Sequence, residues 1–78
     1  MITAKMMRQL WAVIESTNVN TLLQFDDVAL VQLLLQQLKA KQEIDEQADN
    51  SLDNYIKSKL PLIRDTAEGR ISLGQDNQ

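Results

Sequence analysis

Oxygen-bearing side chains recur at alternate positions of the stretch DEQADNSLDNYI: Asp45, Gln47, Asp49, Ser51 and Asp53. Alternate donors closing around one ion are how a calcium loop between two helices works, and Leu52 falls at that loop's apolar position. The ligand set does not close here. Asn50 stands where the sharp turn needs glycine, and Ile56 stands where a bidentate carboxylate completes the coordination. The stretch is therefore expected to be an acidic linker, with its last carboxylates favouring the N-terminus of the helix that follows. Asp53, four residues before Lys57, is placed for an ion pair along that helix.

The rest of the reactive inventory is short. The chain has no His and no Cys, which removes the commonest general base and metal ligand, the most reactive nucleophile, and any disulfide. Both glycines, Gly69 and Gly74, lie near the C-terminal end, so no glycine loop precedes a helix to cradle a phosphate. Catalysis would fall to Asp, Glu, Lys, Ser or Tyr55 on a domain too small for a deep pocket. The expectation is no enzyme, no cofactor, no metal and no small-molecule substrate.

Lys57, Lys59, Arg64 and Arg70 make the last helix basic toward its end. They suit an acidic partner or nucleic acid, or they simply complement the negative end of the helix dipole. A net charge of −3 disfavours nucleic acid, whose binding relies on clustered cations.

Three amphipathic segments must position these residues. From Ala4 to Ser16, Met6, Met7, Leu10, Trp11, Val13 and Ile14 recur at helical spacing, with Thr3 as N-cap and a polar cluster from Ser16 to Asn20 as the stop. Thr21 to Phe25 has no clear period; it reads as a helical turn or an extended connector, with Leu22, Leu23 and Phe25 tucked under the core. Asp26 then caps a helix over Asp27 to about Gln42, with Phe25 and Leu30 at the positions of a hydrophobic staple. Its broad face is Val28, Leu30, Val31, Leu34, Leu35 and Leu38, and Leu33 falls outside it. Val28, Val31, Leu35 and Leu38 also stand at heptad spacing, but that register ends at Gln42, too soon for a free-standing coiled coil.

After the linker QEIDEQADNS, the face Leu52, Tyr55, Ile56, Leu60, Ile63 and Ala67 keeps its helical phase across Pro61, with Leu62 at one margin. Pro61 points to the polar side, near Lys57 and Arg64. One helix from Asp49 to Glu68, kinked at Pro61 and stopped by Gly69, is expected. The rival is a break at Lys59, because the residue before proline avoids helical geometry.

The fold class is accordingly all-α: a small three-helix bundle with a long, proline-kinked third helix. Residues 1–70 form the single domain and 71–78 a flexible tail. The first two long helices pack roughly antiparallel, and the third closes over them.

Chains of this length bury only roughly 60% of the surface exposed when unfolded, and small aliphatic cores often gain stability by oligomerising. The start MITAKMMRQLWAVIE carries charges within its apolar run and no small-residue cleavage site, unlike a signal peptide. No apolar run approaches the ~20 residues that span a bilayer. A cytoplasmic setting without membrane association is expected.

The segments MITAKMMRQLWAVIEST and YIKSKLPLIRD resemble short conserved cyanobacterial proteins of unknown function. That resemblance implies a bacterial cytoplasmic setting and brings no functional residues with it. The functional expectation is a small regulatory or adaptor protein that binds protein, as a homodimer; a nucleic-acid-binding regulator using the basic end of the third helix is the alternative. Candidate partner-contacting residues are Trp11, Leu30, Leu33, Lys57 and Arg64.

Overall fold

The computed structural model describes the backbone of residues 2–76 and the side chains of residues 2–71. Four α-helices follow one another: α1 Ala4–Ser16, α2 Val19–Gln24, α3 Asp27–Lys41 and α4 Glu46–Asp76. No strand occurs among the described residues.

A capping side chain sets each start. Thr3 Oγ1 accepts from Met6 N at 3.1 Å, Asp26 Oδ1 from Ala29 N at 2.8 Å and Asp45 Oδ1 from Ala48 N at 2.7 Å. Each bond satisfies an amide that the first helical turn leaves without an intrahelical acceptor. Asn18 Oδ1 does the same for Asn20 N at 2.8 Å, and so the segment after α1 becomes the helix α2 rather than an extended connector.

The cap at Asp45 moves the start of α4 forward to Glu46. Most of the expected linker is therefore helix, and only residues 42–45 connect α3 to α4. Glu46 and Asp49 occupy the first turn of α4, where the helix dipole favours carboxylates.

Helix α4 is uninterrupted through Pro61, so no break occurs at Lys59. Pro61 is exposed, while Leu60 before it and Ile63 and Ala67 after it are buried. The energetic balance explains the continuity. A mid-helix proline costs about 3 kcal/mol, whereas burying a large aliphatic side chain contributes about 1.5–3 kcal/mol, and both Leu60 and Ile63 keep their burial only if the helical phase survives.

Gly69 does not end the helix either. No glycine adopts a positive φ, and the backbone stays helical to Asp76. Of the tail expected over 71–78, residues 77 and 78 lie outside the described residues.

Among the helices, α1 packs on α3, and α4 packs on both α2 and α3. The buried cluster is wholly aliphatic. It draws Leu10, Val13 and Ile14 from α1, Leu22 from α2, a five-residue seam from Leu30 to Leu38 on α3, and Leu52, Ile56, Leu60, Ile63 and Ala67 from α4. Trp11, Val19, Leu23, Ile44 and Tyr55 pack half-buried around its rim.

Two apolar residues depart from the expected face. Val28 is 67% exposed and Phe25 43% exposed. Val28 lies about 90° around α3 from the middle of the buried seam, and Phe25 sits in the bend between α2 and α3.

A methyl group added at Gly69 would meet nothing within 4 Å. Gly69→Ala is therefore expected to stabilise the fold by about 0.5–1 kcal/mol, seen as a higher urea midpoint with an unchanged slope. Leu34→Ala, deep in the α3 seam, should cost about 2–5 kcal/mol in the same measurement.

Candidate functional site

The last carbonyls of a helix have no intrahelical donor, and they form the negative end of its dipole. Neither α1 nor α2 carries a basic residue in its last turn. Two arginines of α4 supply that charge from outside.

Arg64 donates through Nη1 to Leu22 O at 2.7 Å, and through Nη2 to Phe25 O at 2.9 Å and Asp27 Oδ1 at 2.8 Å. It thereby clamps the end of α2 and the start of α3 onto α4. Arg70 donates to Glu15 O at 3.1 Å and Ile14 O at 3.3 Å, closing the end of α1. A guanidinium suits both places because its planar fork presents several fixed donors and stays charged. The two arginines lie about 120° apart around α4, on opposite flanks of its buried face, and so reach different neighbours.

This geometry reassigns the basic end of α4. Arg64, expected as a docking residue on the convex side, has a side chain only 23% exposed and directs its donors into the fold. Lys57 Nζ pairs with Asp53 Oδ2 at 2.9 Å, the ion pair that four-residue spacing predicts. Lys59 Nζ stands 5.8 Å from the centre of the Tyr55 ring, within cation–π reach.

The remaining candidates are not gathered into one site. Leu30 is 0% exposed and belongs to the core, so no partner reaches it in this fold. Trp11 is half-buried, and its indole Nε1 donates to Tyr55 Oη at 3.2 Å, which ties α1 to α4. Leu33 is half-buried on the outer side of α3. Among the described residues, the large apolar side chains left open are Val28, Leu62, Phe25 and Ile71, a set that sequence reasoning missed. A narrower angular window on each face would have found Val28, and Leu62 already stood at a margin.

The calcium-like carboxylates are likewise dispersed, by the helix that contains them. Asp45 caps α4, Asp49 Oδ2 accepts from Lys39 Nζ at 3.1 Å, and Asp53 holds Lys57. Among the described residues, no group of three or more side chains converges to hold a metal ion. The Lys39–Asp49 pair spans an open cleft of about 220 Å³ between α3 and α4, edged by Gln32, Gln36, Asn50 and Asp53. A second hollow, of about 430 Å³, lies beside Met6, Ile44 and Asp45. Among the described residues, no helix is long and apolar enough to cross a membrane. Comparison with protein-family models, curated proteins and solved structures finds no match.

Arg64→Ala should destabilise the fold by about 2 kcal/mol, because it leaves helix-end carbonyls short of donors in a partly buried place. Arg64→Lys should recover less than half of that loss in urea unfolding, since an ammonium does not reproduce the fork.

Proposed function

We propose that this chain is a small regulatory or adaptor protein that acts by binding protein surfaces, itself as a homo-oligomer, in the bacterial cytoplasm, and that it performs no catalysis. The observation that supports this reading is the set of large apolar side chains left in solvent, Val28 foremost, on a chain whose own core is already closed. Scattered single residues need no explanation. Here, however, the chain is short and its core wholly aliphatic, and such domains commonly complete their stability by association.

Part of the same reading is that α1, α3 and α4 act as one three-helix bundle with α2 as a strut, and that α4 bends at Pro61 with its convex side toward solvent. A bend there is the ordinary way for a helix to absorb a proline on its outer face.

The alternative, a nucleic-acid-binding regulator using the basic end of α4, draws little support. The guanidinium groups of Arg64 and Arg70 are engaged with main-chain carbonyls, which leaves Lys57 and Lys59 to face phosphates at that end, and Lys57 already holds Asp53.

Sedimentation velocity from roughly 1 μM to roughly 1 mM should show a mass rising toward the dimer as concentration increases; a monomer throughout overturns the homo-oligomer reading. Retention on immobilised DNA or RNA at low salt, lost steeply as salt rises, would favour the alternative instead.

A further inference from the structure

We infer that α2 is a strap that opens as a unit while α1, α3 and α4 stay folded together, and that Arg64 is its latch. Such a strap goes beyond the protein-binding reading and does not depend on two copies associating.

The long helices are held by seams of buried side chains, and α2 is not. Three residues of α1 and five of α3 are buried, against Leu22 alone in α2. Val19 and Leu23 add half-buried contact, while Asn20 and Gln24 face solvent. Six residues are too few for a helix to persist in water by itself. Segments with few buried apolar groups and a short hydrogen-bonded ladder are those that open below the free energy of global unfolding.

Both ends of α2 are non-helical joints. Thr17 and Asn18 separate it from α1, and Phe25 and Asp26 separate it from α3. Asn18, Phe25 and Asp26 are exposed, so neither joint is pinned by a core side chain. The second joint is fastened by one residue of α4. Leu22 O, Leu23 O and Phe25 O all accept from the Arg64 guanidinium, which also holds Asp27. Arg70 makes its shorter bonds to Glu15 O and Ile14 O and reaches Thr17 O only at 3.5 Å. Arg70 therefore keeps α1 in place when the strap lifts, and release begins at Arg64.

The courses of the other helices fix what the strap covers. Helix α3 lies along the first half of α4, with Lys39 against Asp49 at one end and Asp27 against Arg64 at the other. Past Arg64 the buried face of α4 runs beyond the start of α3, and α2 and the end of α1 cover it. Ala67 stands there at 0% exposure, and Leu60 and Ile63 precede it on the same face. Lifting α2 bares this apolar strip and leaves the Arg64 guanidinium free beside it. The closed chain hides that surface, and the opened chain presents it.

Hydrogen exchange of the intact chain, followed amide by amide in urea below the unfolding transition, tests the strap. The Leu22 and Phe25 amides, bonded to Asn18 O at 3.1 Å and Thr21 O at 3.2 Å, report on α2. Relative to an unstructured chain, they should exchange at least tenfold faster than the Leu34 and Leu38 amides, with one shared urea slope well below that of α3. Equal rates and equal slopes overturn the strap, because α2 then opens only when the whole fold does. Leu34→Val should speed the α3 amides and leave those of α2 unchanged, since it weakens the closed and opened chains alike; acceleration of both by one factor overturns the strap again. Arg64→Lys should speed the α2 amides at least threefold, and no change there overturns the latch.

Discussion

Helix ends impose the constraint on which this structure depends. Each helix finishes with carbonyls that have no amide to meet them, and in α1 and α2 the last turn holds no cation of its own. Arg64 and Arg70 reach back from α4 to meet both sets. Helix α2 is only six residues long, well below the length at which an isolated helix is stable in water, so it exists because Leu22 is buried beneath it and Arg64 closes its end. The length of α4 follows from the same constraint. Both arginines lie beyond Pro61, and a chain that stopped at Lys59 would leave α1 and α2 without their caps.

Surface charge follows from this arrangement. The cations that might have faced a polyanion are drawn inward at the end of α4, while its outer lysines engage Asp53 and the Tyr55 ring. On the outside, no charged residue stands between Val28 and Leu38 of α3, and a few large apolar side chains are open. The acidic stretch after α3 belongs to the same economy of contacts: a cap, a bridge to Lys39 and a bridge to Lys57 account for Asp45, Asp49 and Asp53.

Much of the fold was legible in the sequence because it rests on local rules. The period of the apolar residues placed α1, α3 and the body of α4, and the caps at Thr3 and Asp26 are short-range hydrogen bonds that residue type alone suggests. The phase argument carried α4 across Pro61 correctly. The glycine stop expected at Gly69 failed, because such a stop is a preference without force unless the chain needs a left-handed residue there, and the capping role of Asp45 was hidden among other acidic residues. Val28 was assigned to the core by its helical period and Phe25 by its place before the Asp26 cap. A narrower angular window would have set Val28 aside, whereas the exposure of Phe25, in the bend between α2 and α3, depends on how the neighbouring helices pack.

The sequence by itself determined that the protein is all-helical, that its core is aliphatic, and that the chemistry of histidine and cysteine is closed to it, because composition and periodicity are properties of the chain before it folds. Only the tertiary structure decided what the arginines do. Whether a guanidinium faces solvent or a helix end depends on which carbonyls lie within reach, and residues 37 to 56 positions apart in the chain come together only when the helices pack. The same packing decided which apolar residues close the core and which, like Val28, stay open to solvent.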